Sequence, residues 1–160
     1  MPARLINAIG LCLCITALLF AVFYLERTLG LDPCPLCMLD RAVMSCIALG
    51  FFLAALHNPS AWGKFVYAGY NFIWIVIGLG VAGRHIWLQS LPPDQVPSCG
   101  ADFDFMWESW PLGEIILTTL KGSGDCAAVT WTFLGLSIPQ QVFGFLLLLG
   151  GVTVLSLKAK

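Results

Sequence analysis

The 160-residue chain is poor in charge. Only 11% of its residues are Asp, Glu, Lys or Arg, where a soluble domain of this size carries about 25%. Too few polar side chains remain to coat a water-soluble globule. The net charge is −1 and no basic tract is present, which leaves nothing with which to hold a nucleic acid. Only two histidines occur, His57 and His85, so a histidine-rich metal centre is excluded.

The apolar residues, 59% of the chain, fall into four runs, about 6–25, 38–56, 65–82 and 140–157. Each is close to the roughly 20 residues that cross a 30 Å hydrocarbon layer as a helix. The expected fold is an all-α integral membrane protein, a single domain over 1–160 built as a four-transmembrane-helix bundle. The first run is longer than a signal-peptide core and Glu26, Arg27 and Thr28 offer no small-x-small cleavage site; it reads as a retained span. Four spans put both termini on one side. Segments 1–5, 57–64 and 157–160 hold Arg4, Lys64, Lys158 and Lys160 with no acidic residue. The other side holds Arg27, Arg41, Arg84 and Lys121 spread over far more chain. Lys and Arg density in short loops favours cytoplasmic termini, with outer loops at about 26–37 and 83–139.

The seven cysteines divide along the same lines. Cys12, Cys14 and Cys46 lie within apolar runs and read as small packing residues. Cys34, Cys37, Cys99 and Cys126 lie in the outer loops, where an oxidising compartment lets disulfides persist. Cys34 and Cys37 form a C-x-x-C motif, able to close and reopen a small disulfide through a low-pKa thiol. Pro33 and Pro35 hold Asp32 and Cys34 out of helical geometry, so the second helix is expected to start near Cys37. Arg41 falls on the same helical face as Cys37. Two readings stand for it: a cation that stabilises a thiolate or a reduced quinone oxygen, or one that pairs with Asp40 or snorkels to the headgroups. Zinc is the rival for C-x-x-C, with Cys99 and Cys126 completing a Cys₄ set. The 26-residue gap between those two cysteines suits a loop-closing disulfide better, and no metal is expected.

The second outer loop is long enough to suggest function. Prolines before Cys99 favour extended chain, and Gly122, Ser123, Gly124 and Asp125 give Cys126 a flexible approach. A disulfide there is expected to be accessible and able to swing. Leu112, Ile115, Ile116 and Leu120 share a helical face next to Trp107 and Trp110, as in a short interfacial helix resting on membrane lipid. Ser137 and Gln140 form a capping-box pattern before the fourth span. Arg84 and His85 mark the outer end of the third span, where position alone makes both solvated residues.

Together these residues resemble the disulfide bond formation protein B (DsbB) family. The likeness covers four spans, C-x-x-C followed by Arg41, the long second loop with two cysteines, and the stretch from Ser123, Asp125 and Cys126 through Trp131 to Pro139. Asp40 departs from the pattern, where the family commonly has Gln. The resemblance implies a thiol oxidase of the bacterial inner membrane whose partner is a DsbA-like periplasmic thiol oxidase and whose cofactor is a quinone, ubiquinone or menaquinone. It implies redox pairs Cys34–Cys37 and Cys99–Cys126, electron flow from Cys99 through Cys126 and Cys34 to Cys37, and quinone contacts at Arg41 and His85. Two alternatives remain: a vitamin K epoxide reductase-like enzyme, which places its C-x-x-C at a late helix, and a non-enzymatic membrane protein with zinc or static disulfides.

Overall fold

The computed structural model describes residues 2–59, 62–92, 94–97 and 103–159. Four helices are long and apolar enough to cross a membrane. The first comprises α1 (Ala3–Leu19), which runs on without a break into a π-helical stretch, Phe20–Thr28. The others are α2 (Pro35–His57), α3 (Trp62–Gln89) and, after the second loop, α7 (Ile138–Lys158). Between them come α4 (Phe103–Ser109), α5 (Leu112–Lys121), α6 (Gly124–Ala127) and a two-stranded ribbon, β1 (Thr132–Phe133) with β2 (Leu136–Ser137). The all-α bundle is as expected, and the ribbon is a small addition to it. Its turn places Leu134 and Gly135 at φ 53° and 79°, and two residues per strand are too few to leave a periodic signal in sequence.

Helix ends follow from local chemistry. Cys34 caps α2 in extended geometry and Pro35 occupies the first helical position, where its missing N–H costs nothing. The helix therefore begins two residues before the expected Cys37. It ends at Asn58 in the left-handed conformation, followed by Pro59. At α7, Ser137 is the N-cap and its N–H donates to Gln140 Oε1 at 2.8 Å. All four helices extend beyond their apolar runs. The largest addition is at α3, which continues through Arg84 and His85 to Gln89.

The spanning helices close a ring in which α1 packs on α2 and α7, and α3 packs on the same two. The core holds Cys14, Val43, Met44, Ile47, Phe51, Ile75, Leu146 and Leu149. Small residues allow the close approach that packing in lipid requires: the Phe51 ring lies 2.8 Å from where a Gly10 Cβ would stand, and Leu146 lies 2.9 Å from that of Gly78. Phe52, Ile73, Val76, Leu147, Leu148 and Leu155 face outward, as they must when the surroundings are acyl chains. On α5, Ile115 is turned onto protein while Leu112, Ile116 and Leu117 stay exposed, an apolar outer stripe fitted to the headgroup boundary. Arg84 ties α5 to α3 by donating to the carbonyls of Leu120 and Lys121 at 3.1 and 2.9 Å. Those are the orphan acceptors of a helix C-terminus, so Arg84 is structural and not simply solvated.

Candidate active site

One end of the bundle gathers the chemistry. The sulfurs of Cys34 and Cys37 are 2.9 Å apart, and the Cys37 N–H points at Cys34 Sγ at 3.4 Å. Cys34 thus caps the first turn of α2 with its sulfur, which accepts an N–H that would otherwise lack a partner within the helix. His85 comes from the last turns of α3 and is only 3% exposed. Its Nε2 lies 3.8 Å from Cys34 Sγ. Burial replaces the solvated placement that its position near a span end suggested: the helix continues past it, and the ring turns inward.

Cys126 is the third sulfur. It lies on α6, fully buried, and packs with Leu36, Val81, Leu88 and Cys34. This corrects the exposed, swinging placement expected from the glycines before it. Gly122 sits at φ +83° with Leu88 Cδ1 2.3 Å from where a Cβ would stand, so the glycine serves close docking and a backbone turn, not mobility. Ser123 then accepts the Cys126 N–H at 3.0 Å and places its hydroxyl 3.7 Å from the sulfur. The Cys126 thiol is drawn down to about 6, chiefly because Cys34 donates to its thiolate, with further help from the Leu36 and Ser123 backbone against the opposing effect of burial. Cys34 is pushed up from the ordinary thiol value by the same neighbour, then by Cys37 and burial. Of this pair, Cys126 is the more acidic and Cys34 the less acidic. Cys99 lies outside the described residues.

Cys34, Cys37 and His85 form part of the wall of a cavity of about 130 Å³. Leu18, Ala21, Leu25, Met44 and Val142 give it apolar sides, while Cys34, Cys37, Asp40, Arg41 and His85 converge from one direction. Arg41 pairs with Glu26 at 2.7 Å and donates to the Ala21 carbonyl at 3.3 Å. Asp40 is not its partner. Neighbouring residues on a helix point to different faces, and Asp40 turns inward, 8% exposed, with Oδ1 unpartnered among the described residues. Glu26 is the residue that sequence reasoning missed. Its signal was an acidic residue at the end of an apolar run, and it lies in the π-helical stretch, a form often found at functional sites.

A four-helix membrane bundle with a C-x-x-C pair facing an apolar cavity and a third thiol packed behind it defines a class, the membrane-embedded thiol–disulfide oxidoreductases. The comparisons make this specific. A family profile described as "Disulfide bond formation protein DsbB" matches residues 3–156. Proteins named "Disulfide bond formation protein B" are similar along their length: 44% identical in Nitrosococcus oceani, covering 96% of this chain and 90% of that protein, and 46% in Marinobacter nauticus, covering 97% and 93%. Another from Methylococcus capsulatus is 42% identical over 96% of this chain and 93% of the relative. The chain belongs to the DsbB family, and is a multi-pass membrane protein with a disulfide-forming oxidoreductase role.

Proposed function

We propose that the protein is a quinone-dependent thiol oxidase that reoxidises a DsbA-like dithiol oxidase in the periplasm. It would sit in the bacterial inner membrane with both termini cytoplasmic and the thiol end outward. The observation that carries this reading is the meeting of Cys126 with the Cys34–Cys37 motif beside an apolar cavity lined by Arg41 and His85. That the DsbA–DsbB–quinone chain keeps the periplasm oxidising is already established in general.

The partner's thiolate attacks Cys99 of a Cys99–Cys126 disulfide, and Cys126 leaves as a thiolate. A thiol with a lower pKa leaves faster, and the Leu36 and Ser123 backbone groups, which favour a Cys126 thiolate without needing a Cys34 thiol, suit that departure. The partner's second thiol then frees Cys99 and closes the partner's own disulfide. Cys126 attacks Cys34 of the Cys34–Cys37 disulfide, and Cys37 departs carrying the electron pair. Cys37 lines the cavity together with Arg41, whose guanidinium would stabilise the negative charge. Cys99 then displaces Cys34 from Cys126, which re-forms Cys99–Cys126, and closure of the reduced Cys34–Cys37 pair would pass two electrons and two protons to the acceptor described next. Each exchange makes one S–S bond and breaks another.

The residues present fit a quinone. An apolar slot suits a ring and isoprenoid tail, Arg41 can hold a carbonyl oxygen, and His85 can hold or give a proton. Such a group supplies a sink for two electrons and two protons. A sink is needed because DsbA is a strong oxidant, at about −120 mV, and about 30 mV is 1.4 kcal/mol for a two-electron couple.

The test is quinone reduction by the purified protein, driven by reduced DsbA-like partner, with ubiquinone and menaquinone assayed in parallel. Turnover in wild type that disappears in Cys37→Ser supports the proposal. No turnover with either quinone, from folded protein, contradicts it.

A further inference from the structure

The sulfurs of Cys34 and Cys37 and a ring nitrogen of His85 lie within 4.8 Å of one another, and Cys126 packs against Cys34 from α6. Tetrahedral zinc, with bonds of about 2.3 Å to sulfur and 2.0–2.1 Å to nitrogen, sets its ligands about 3.8 Å apart for two sulfurs and about 3.6 Å for sulfur and nitrogen. The Cys34–His85 distance, 3.8 Å, already matches. The Cys34–Cys37 separation, 2.9 Å, must open by roughly 1 Å, which rotation of a free thiol about its Cα–Cβ bond accomplishes.

We propose that the reduced protein binds one zinc(II) ion through Cys34, Cys37 and Nε2 of His85, with the fourth position taken by water or by Cys126 after a shift of α6, and that the bound ion halts thiol exchange. The set differs from an all-cysteine site in that His85 stands where Cys99 would, an assignment that only the fold makes visible. Soft thiolates and an imidazole select zinc over magnesium or calcium, which take oxygen ligands. Binding displaces the thiol protons and changes no oxidation state. The Cys34–Cys37 disulfide offers no thiolates, so the site exists only in the reduced protein. The consequence for turnover rests on the thiol-oxidase reading; the binding itself does not.

The experiment uses full-length protein in detergent, reduced, freed of reductant and kept anaerobic, then titrated with zinc alone against a chromophoric chelator. One ion per chain is expected, with protons released, alkylation of the loop thiols slowed, and no tight binding after oxidation with diamide. His85→Gln is expected to weaken binding on the order of tenfold or more. Equal binding by reduced and oxidised wild type overturns the site, as does failure of the reduced protein to hold zinc against the chelator. So does unchanged affinity in His85→Gln. The redox comparison uses the unaltered chain, so misfolding cannot imitate it. Neither quinone nor thiol partner is present. Zinc binding without turnover therefore counts only against the oxidase proposal, and turnover without zinc binding only against the metal site.

Discussion

The two cysteine-bearing elements that meet at this site are built in opposite ways. Cys34 and Cys37 belong to the start of a 23-residue spanning helix, whose position is set by the whole bundle. Cys126 rides on a four-residue helix that has almost no structure of its own and is held by Gly122, Ser123 and a small apolar contact with Leu36, Val81 and Leu88. The relay proposed above needs both kinds. One sulfur pair must stay fixed beside its electron acceptor, and one sulfur must be able to part from its neighbours at modest cost. Short, locally stabilised elements are the ones that open first.

The sharpest way to break the comparison is to remove a sulfur from either side. Cys34→Ser or Cys126→Ser is expected to abolish partner oxidation, a loss on the order of 10³-fold or more, because a serine hydroxyl cannot form the exchanging bond. Stopped-flow assay of partner dithiol consumption checks this. A protein in which either variant keeps near-normal turnover uses another sulfur path.

Next in size is the docking of α6. Gly122→Val sets a branched side chain at φ +83° and drives it into Leu88, at a cost of about 1–3 kcal/mol. Alkylation of Cys126 in the reduced variant should accelerate, while the melting temperature of the spanning bundle holds. Equal destabilisation of both would mean that the two regions are not separable.

The pH response of Cys126 sharpens the same contrast. Its thiolate accumulates as pH rises through about 6, so its ultraviolet thiolate signal should already be near maximal at pH 8. Cys34→Ala removes the principal donor and should move the midpoint upward, toward the ordinary thiol value of about 8.5. An unmoved midpoint would show that the Ser123 and Leu36 contacts govern it. The smallest effect is expected from Glu26→Gln. The Arg41–Glu26 pair is partly exposed, and such pairs contribute about 0–1 kcal/mol. A few-fold change in quinone KM with stable folding is the expected result, read from steady-state kinetics.

The spans were legible because lipid demands long apolar runs, and local sequence alone reveals them. C-x-x-C and Arg41 could likewise be read together, since residues 37 and 41 share a helical face. Their surroundings could not. Arg84 and His85 look like loop residues because they are polar, yet each has a partner distant in sequence: the end of α5 for one and Cys34 for the other. The glycines around Cys126 suggested freedom, whereas Leu88, 34 residues from Gly122 in the chain, makes one of them a docking requirement. Glu26 meets Arg41, 15 residues on, from a π-helical stretch, and such winding leaves no mark in composition.

The most direct test of the meeting at Cys34 is a cross-link. In a chain carrying Cys37→Ser and Cys99→Ser, Cys34 and Cys126 are the two thiols left in the loops. Mild oxidation followed by non-reducing peptide mass analysis should recover them joined in nearly every molecule. Two free thiols, in protein that remains folded, would contradict the account, because Cys126 could then not hand its electrons to Cys34.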